Sequence, residues 1–405
     1  MFSYLKDRFD FRVAAMTFAL VALGVVSVYS ATYDAKASEI FQKQLLWVLV
    51  GTAAFFIVTF FPYRLLQLVS WPSYFFSIFL LVAVLVIGRK VSGSTSWFNL
   101  GSMRLQPAEF AKITTVLALG MYIARSDVTL KKVRYLAVAS GIVLLPMVLI
   151  LLQPDMGTAI VFGVMFFPVL YWAGASRFTL LAIIAPPAAA FAALFGTTPF
   201  LIVVLVFGVL LYITKENRIV AAVIFSLTVM LGVSVQFIYD RLKPYQQKRI
   251  STFLDPGADP LGAGYNILQS KVAIGSGGMF GKGYLHGTQT QLNFIPEQWT
   301  DFIFCVPGEE FGFVGAATVL LLLMGLLMRG ISIASSVKNP FGSLVAVGIT
   351  AVFATHIVMN IGMALGLMPV IGVPLPFLSY GGSALLANMT MAGLLMNLYA
   401  NRKEY

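Results

Sequence analysis

Long runs of apolar residues, separated by short polar or basic segments, fill most of this chain. A helix needs about 20 apolar residues to cross the hydrocarbon core of a membrane, so each run of that length predicts a transmembrane helix. The pattern therefore predicts an all-α polytopic membrane protein of about twelve spans, with the pair between 177 and 214 the weakest. The predicted spans are 12–31, 42–61, 70–88, 107–125, 134–152, 157–174, 177–196, 198–214, 218–239, 301–329, 341–368 and 377–400.

One segment interrupts this pattern, because residues 240–300 are mostly polar and rich in glycine. Glycines permit tight turns whose backbone amides can face an anion, but a loop folded back on the membrane surface explains them equally well. A Walker A loop is excluded, since Gly283 follows Lys282 where that motif needs Ser or Thr. The segment is too short and too glycine-rich to form its own core, so residues 1–405 are predicted to form a single integral membrane domain.

The composition also indicates a polytopic membrane protein. Of 405 residues, 59% are hydrophobic and 11% are charged, with a mean hydropathy of +0.89, whereas about a quarter of the residues of soluble domains are charged. The net charge of +11 comes from basic residues scattered at the ends of apolar runs. That scatter indicates membrane topology and contact with anionic lipids, and no nucleic acid partner. A single cysteine, Cys305, with two histidines excludes an internal disulfide and a structural zinc site.

Basic residues also predict the orientation. If the N-terminus lies in the cytoplasm and the spans alternate, fifteen Lys and Arg fall on inside segments and five on short outside loops. This bias agrees with the positive-inside rule. Both termini are therefore predicted to be cytoplasmic, and residues 240–300 to lie outside. If the weak pair of spans between 177 and 214 is left out, an odd number of spans still precedes residues 240–300, so this segment still lies outside.

The leading catalytic candidate is Asp301, at the point where the polar segment meets an apolar run. It is predicted to begin a helix, so the alternative role is a helix cap. Glu297 lies four residues before it, and Glu309 and Glu310 lie about two turns into the predicted helix. Ionisable groups within a span are costly and usually functional, which favours catalysis.

Further candidates flank earlier spans. Glu109 and Lys112 are three residues apart on one helix face, so they form either an intrahelical ion pair or part of a polar cavity. Asp155 follows Pro154 and either caps the sixth span or joins the same cavity. The same outer ends also carry Trp97, Arg104, Gln106 and Gln153.

A proline- and glycine-rich run lies near the C-terminus, between Asn360 and Ser383. Such a run breaks a helix, and broken helices at membrane depth are tolerated only against protein or a wet cavity. The alternative is an ordinary outside loop between the last two spans.

The run from Asn360 to Ala384 resembles the signature of the SEDS family (shape, elongation, division and sporulation). Trp97-Phe-Asn-Leu-Gly, Arg104-x-Gln-Pro-Ala-Glu109-x-x-Lys112 and Gln153-Pro-Asp155-Met-Gly-Thr resemble its earlier motifs. Three segments of this chain resemble the elongation-type members of the family more closely than the division-type members. They are Asp255 to Tyr265, Gln269 to Gly278 and Leu285 to Gln289. The resemblance covers most of the chain, from about Trp97 to Ala384.

The resemblance implies a peptidoglycan glycosyltransferase that polymerises lipid II outside the cytoplasmic (inner) membrane during cell elongation. It implies a class B penicillin-binding protein as crosslinking partner, and a ten-span core to which residues 177–239 add a pair. Asp301 matches the essential aspartate of a P-E-x-x-T-D element, although Gln298-Trp299 and Pro307 depart from the common pattern. The predicted substrate-binding residues are Trp97, Arg104, Gln106, Glu109, Lys112, Asp155, Lys271, His286, Gln289, Glu297 and Ser379.

A mechanism follows from this substrate. Pyrophosphate is already a good leaving group, so the reaction needs a base for the attacking 4-hydroxyl more than a general acid, and one carboxylate suffices. We expect Asp301 to be that base, with Lys112, Lys271, Arg104 or a divalent cation (Mg²⁺ or Mn²⁺) stabilising the pyrophosphate. No metal ligands are assigned. A flippase for lipid-linked sugars, a non-catalytic scaffold and a division-type member remain as alternatives.

Overall fold

The computed structural model describes residues 8–33, 38–91, 94–100, 103–214, 218–242, 247, 264–292, 294–296 and 298–403. Helices dominate these residues, as the apolar pattern predicts. The longer ones are α1 (Phe11–Tyr33), α2 (Ser38–Thr59), α3 (Tyr63–Ile87), α4 (Pro107–Ile123), α5 (Val133–Leu152), α6 (Met156–Trp172), α7 (Arg177–Ala193), α8 (Thr197–Ile213), α9 (Arg218–Arg241), α10 (Tyr265–Ser276), α13 (Gly312–Ser336), α14 (Pro340–Ala364) and α15 (Gly382–Ala400). Two short helices, α11 (Thr288–Gln291) and α12 (Cys305–Glu310), lie between α10 and α13.

Within the described ranges, eight helices are long and apolar enough to cross a membrane: α1, α2, α3, α5, α9, α13, α14 and α15. Three more, α6, α7 and α8, are apolar but have 17 residues or fewer. The prediction of an all-α membrane protein is confirmed, while the count of twelve spans stays a prediction. The sequence pattern did not predict a small antiparallel sheet of β1 (Arg89–Val91), β2 (Ser94–Leu100) and β3 (Met103–Leu105).

The predicted span 301–329 is wrong in its first part. Residues 298–304 form turns, α12 is only six residues long, and α13 begins at Gly312. Gly312 has a φ of +62°, a left-handed conformation that ends α12 and starts a new helix. Asp301 thus precedes the nearest helix by four residues, and the predicted capping role is excluded.

The last two predicted spans are also too long at their facing ends. Helix α14 ends at Ala364 and α15 begins at Gly382, which leaves residues 365–381 without helix. Gly366 and Gly372 have φ values of +70° and +72°. Pro369, Pro374 and Pro376 lack the N–H that would continue a helix.

Helices α14 and α15 form the centre of the bundle, with 83% and 78% of their most apolar stretches buried inside the protein. Helix α14 contacts α4, α6, α13 and α15, whereas α15 packs mainly along α2. At the periphery, α7 contacts α6, and α8 and α9 pack against α7 and each other. Polar side chains on α4 and on the inner face of α14 are therefore buried in protein rather than facing lipid.

Asn397 joins α15 to the end of α2. Its side-chain amide lies 3.0, 3.2 and 2.6 Å from the carbonyl oxygens of Val58, Thr59 and Phe61. The last carbonyls of a helix have no partner within the helix, and this amide supplies a partner to Thr59 at the helix end and to Phe61 just beyond it. The Val58 carbonyl also accepts from the Phe61 N–H at 3.2 Å.

Replacing Asn397 by leucine should lower the free energy of unfolding by about 1–3 kcal/mol, the usual cost of leaving buried carbonyls unsatisfied. Thermal or denaturant unfolding in detergent measures this. Thr390→Val on the same helix is the control, since the Thr390 hydroxyl bonds only the Leu386 carbonyl of its own helix among the hydrogen bonds described. Equal losses in the two variants would contradict the role of Asn397.

Candidate active site

The backbone around Asp301 is held at three consecutive carbonyl groups. Residues 299–301 have no regular helix, so their carbonyls need partners from elsewhere in the fold. The backbone N–H of Tyr380 donates to the Trp299 carbonyl at 2.8 Å. The Ser379 hydroxyl donates to the Thr300 carbonyl at 2.6 Å, and the Asn360 side-chain amide donates to the Asp301 carbonyl at 2.9 Å. The backbone of Asp301 is therefore fixed, while its side chain is only half-buried.

All three donors belong to the end of α14 or to residues 365–381, which we call the proline-rich segment. A Cβ placed on Gly372 of this segment would lie 3.6 Å from Asp301 Oδ2, so the segment passes beside the carboxylate. Asn360 also donates to the Val373 carbonyl at 2.8 Å, and Ser379 accepts from the Leu375 N–H at 2.8 Å. Leu375 is buried. The break in the helix therefore packs against protein and forms the support of Asp301.

Glu109 and Lys112 form the ion pair that their spacing predicts. The Lys112 ammonium lies 2.9 Å from the Glu109 carboxylate and has a solvent exposure of 0%. It also lies 2.8 Å from Nε2 of His356 on α14, a partner that the sequence did not reveal. Because the ammonium is fully enclosed by protein groups, the structure favours the ion-pair interpretation of Lys112 over direct contact with a substrate.

Gln106 and Asp155 form a second polar contact, and Asp155 interacts electrostatically with Glu109 and Lys112. The Gln106 side-chain amide donates to Asp155 Oδ2 at 2.8 Å, and the Thr158 N–H donates to Oδ1 at 3.0 Å, which makes Asp155 the N-cap of α6. Burial raises the pKa of the Asp155 carboxyl above its usual value, although the hydrogen bonds from Thr158 act in the opposite direction. Asp155 thus fills both predicted roles, as a cap and as a member of a polar cluster.

The small sheet brings Trp97 and Arg104 to the same end of the bundle. Trp97 is half-buried on β2, and Arg104 is exposed on β3. Ser383 accepts from the Gln106 N–H at 3.0 Å and donates to the Arg104 carbonyl at 3.1 Å, which ties β3 to α15. Burial raises the pKa of Tyr380, and the positive charges of Lys43 and Arg104 oppose that shift. The bond from Ser383 therefore holds the Arg104 backbone beside the start of α15, two residues after the proline-rich segment ends.

Lys271 reaches the proline-rich segment from another direction. It is exposed on α10, and a Cβ on Gly366 would lie 2.8 Å from its Nζ. The Ser270 hydroxyl donates to the Ala364 carbonyl at 2.6 Å and fastens α10 to the end of α14. Lys271 and Asp301 thus lie beside different parts of the proline-rich segment, near Gly366 and Gly372, and Lys271 is exposed.

The glycine-rich loop after α10 is anchored by Glu309. Its carboxylate accepts from the backbone N–H groups of Gln289 and Thr290, both at 2.9 Å, and from the Lys282 ammonium at 2.8 Å. Burial alone raises the pKa of Glu309, but these hydrogen bonds outweigh it and leave the pKa below its usual value. The anchor is therefore present at neutral pH and is lost only as the pH falls through that lowered pKa.

Glu310 anchors the loop to α1. The Gln291 side-chain amide donates to Glu310 Oε1 at 3.0 Å, and the Ser30 hydroxyl donates to the same oxygen. Burial raises the pKa of Glu310. The prediction that Glu309 and Glu310 lie about two turns into a membrane span is thus corrected, because they end a short helix and hold a loop.

Three predicted binding residues belong to this loop or precede Asp301. His286 is exposed, and its Nδ1 lies 2.7 Å from the Tyr284 carbonyl. Gln289 is half-buried and uses its backbone N–H on Glu309. Glu297 lies outside the described residues. The hydrogen bonds described for His286 and Gln289 therefore lie within this loop and at its anchor, Glu309.

The glycines of the loop fit closely against residues 308–312. A Cβ on Gly277 would lie 2.0 Å from the Gly308 carbonyl oxygen, and one on Gly281 would lie 2.1 Å from the Glu310 carbonyl oxygen. Close packing of backbone against backbone explains these glycines, and it favours a folded-back loop over an anion cradle.

Gly281→Ala should release this loop, because Gly281 has a φ of +82° and an alanine there clashes with backbone. The left-handed conformation alone costs about 1–2 kcal/mol for a residue with a Cβ. Faster limited proteolysis within residues 277–292 is the expected result. Gly275→Ala is the matched control, since nothing lies within 4 Å of its added Cβ. Equal proteolysis rates would overturn the packing explanation.

No group of three or more His, Cys, Asp or Glu side chains converges as a metal site among the residues that the structure describes. The predicted divalent cation therefore has no assigned ligands and stays a prediction.

Comparisons with known proteins show the family of this chain. The family model of the cell cycle proteins FtsW, RodA and SpoVE matches residues 11–200 and 194–404. Peptidoglycan glycosyltransferase RodA of Treponema pallidum (strain Nichols) is 35% identical, covering 97% of this chain and 98% of the relative. Peptidoglycan glycosyltransferase MrdB of Escherichia coli (strain K12) is 36% identical, covering 96% and 94%.

Solved structures are similar over nearly the whole chain. One similar chain belongs to a structure of a peptidoglycan synthase complex that coordinates polymerization and crosslinking, with a TM-score of 0.75, 29% identity and coverage of 98% and 99%. The crystal structure of Rod shape determining protein RodA from Thermus thermophilus has a TM-score of 0.66, 27% identity and coverage of 98% of each chain. The chain belongs to the FtsW/RodA/SpoVE family, the family whose signature its motifs resemble.

Proposed function

We propose that this protein is a peptidoglycan glycosyltransferase that joins lipid II units into glycan strands outside the cytoplasmic membrane during cell elongation. Family membership and relatives named peptidoglycan glycosyltransferase support the activity. The main structural support for this site is the set of three hydrogen bonds to the carbonyls of residues 299–301, which fixes the backbone of Asp301. The Asp301 side chain is half-buried, and Lys271 on α10 is exposed.

In this mechanism Asp301 accepts the proton of the acceptor 4-hydroxyl as the oxygen attacks C1 of the donor sugar. The C1–O bond to the pyrophosphate breaks, and the lipid pyrophosphate leaves with the electron pair. Direct displacement converts an α-linked donor to a β-linked product. A fixed backbone at Asp301 suits this step, because proton transfer requires the base within hydrogen-bond distance of the hydroxyl.

Lys271 and Arg104 are the proposed partners of the pyrophosphate. Both are exposed, whereas Lys112 is enclosed by Glu109 and His356. Fixed positive charge beside a departing anion stabilises the transition state in which that charge develops. A divalent cation, Mg²⁺ or Mn²⁺, would add to the same effect.

The proposed partner is a class B penicillin-binding protein that crosslinks the new strand. The similar chain in a complex of polymerization and crosslinking supports this pairing. The bias of basic residues supports cytoplasmic termini and an active site facing outside.

The test is incubation of the purified protein with lipid II in detergent, with and without the partner, followed by analysis of glycan chain length. Detergent removes the two compartments that a flippase needs, so only a polymerase forms covalent product. Polymer that lengthens with time supports the proposal. Unchanged lipid II in both arms would reject it in favour of transport or a scaffold role.

A further inference from the structure

His356 lies between two parts of the candidate site that are distant in sequence. Its Nε2 lies 2.8 Å from the Lys112 ammonium on α4, and its Nδ1 lies 3.0 Å from the Pro374 carbonyl oxygen in the proline-rich segment. The side chain is 2% exposed, so both contacts are shielded from water. His356 thus connects the buried ion pair with the segment that passes beside Asp301.

The chemistry of the two partners fixes the state of the imidazole. A carbonyl oxygen only accepts hydrogen bonds, so Nδ1 carries the proton. Nε2 then carries the lone pair and accepts from the Lys112 ammonium, which has only donors. This position therefore requires a side chain that accepts on one side and donates on the other.

The proline-rich segment links His356 to the backbone of Asp301. Pro374 lies between Val373, whose carbonyl accepts from Asn360, and Leu375, whose N–H donates to Ser379. Asn360 and Ser379 are the same two side chains that hold the carbonyls of Asp301 and Thr300. Asn360 lies four residues after His356 and so projects from the same face of α14.

We infer that His356 is a positioning residue, which holds the Pro374 carbonyl against the Glu109–Lys112 pair and thereby sets the place of Asp301. This inference rests on the proposed function, since it assigns His356 to the site of that reaction. Misplacing a catalytic group by about 1 Å can cost on the order of 100-fold in rate. Loss of His356 should therefore act on kcat more than on KM.

The test compares three variants of the full-length protein with wild type in lipid II polymerisation. His356→Leu removes both hydrogen bonds, whereas His356→Gln keeps one donor and one acceptor. Thr355→Val is the matched control, because Thr355 is buried on the same helix and bonds the Ala351 carbonyl of α14. Size-exclusion profiles and thermal unfolding establish that each variant is folded.

We expect His356→Leu to lower kcat by about 10- to 100-fold at nearly unchanged KM. His356→Gln should recover most of that loss, and Thr355→Val should match wild type. A folded His356→Leu protein with wild-type kcat would overturn the inference. So would a loss in His356→Gln as large as in His356→Leu, since a purely steric role for the imidazole predicts it.

Hydrogen exchange tests the inference apart from activity. The backbone N–H groups of Leu375, Ser379 and Tyr380 are all hydrogen-bonded. In His356→Leu these amides should exchange about tenfold faster, because local opening becomes easier when the segment loses an anchor. Unchanged exchange would reject the positioning role even if wild type polymerises lipid II. Conversely, if wild type makes no glycan, the proposed function fails while the exchange data still report on His356.

Discussion

Asp301→Asn is expected to lower the rate of lipid II polymerisation by roughly 10²–10⁴-fold, the usual contribution of a general base. Asparagine keeps the size of the side chain but cannot accept the proton of the attacking hydroxyl. The three hydrogen bonds to the carbonyls of residues 299–301 do not involve the Asp301 side chain. These three hydrogen bonds should therefore persist in the variant, and its melting temperature in detergent checks that the loss reflects chemistry and not unfolding.

Asp127→Asn is the matched control for this substitution. Asp127 is exposed in the turn after α4, where it pairs with Arg125 at 3.0 Å, and exposed ion pairs contribute little to stability. Asp127→Asn should retain wild-type polymerisation. Asp301→Asn protein that is folded and polymerises lipid II at the wild-type rate would exclude Asp301 as the base.

Lys112→Met is expected to destabilise the protein by about 3–5 kcal/mol, the usual cost of breaking a buried ion pair from one side. The substitution leaves the Glu109 carboxylate without its cation in a site with almost no access to water. His356 loses the donor to its Nε2 as well. A lower melting temperature in detergent and reduced yield of folded protein are the measurements.

Two further variants test whether the loss of stability comes from the unpaired buried charge or from replacing any lysine by methionine. Glu109→Gln combined with Lys112→Met removes both charges, so the double variant should be more stable than Lys112→Met alone. Lys131→Met, at an exposed position before α5, should leave stability unchanged within about 0.5 kcal/mol. If Lys112→Met unfolded at the same temperature as Lys131→Met, the ion pair would have no role in stability.

Much of the helical architecture was predictable because membrane spans carry a strong local signal. The predicted spans 12–31 and 134–152 lie within α1 and α5 almost residue for residue. The errors fall where tertiary contacts decide the backbone. Residues 302–304 are apolar enough for a span, yet residues 298–304 form turns, and tertiary hydrogen bonds from Asn360 and the proline-rich segment hold the carbonyls of residues 299–301.

The candidate site was predictable only in part. Asp301, Glu109 and Lys112 stand out because charge in an apolar run is costly. His356 does not, since its partners are 244 residues away on α4 and 18 residues away in the proline-rich segment. Glu309 gave the same sequence signal as Asp301 but binds the backbone of a loop, and only the fold distinguishes the two.

Catalysis by Asp301 outside the membrane requires that its side chain open to the outer face. Single cysteines in a Cys305→Ser background, at Asp301, at exposed His286 and at exposed Lys131, can be labelled with a membrane-impermeant thiol reagent in vesicles of known orientation. We expect Asp301→Cys and His286→Cys to react from the outer face and Lys131→Cys only from the cytoplasmic face. Labelling of Asp301→Cys from the cytoplasmic face alone would contradict the proposed reaction.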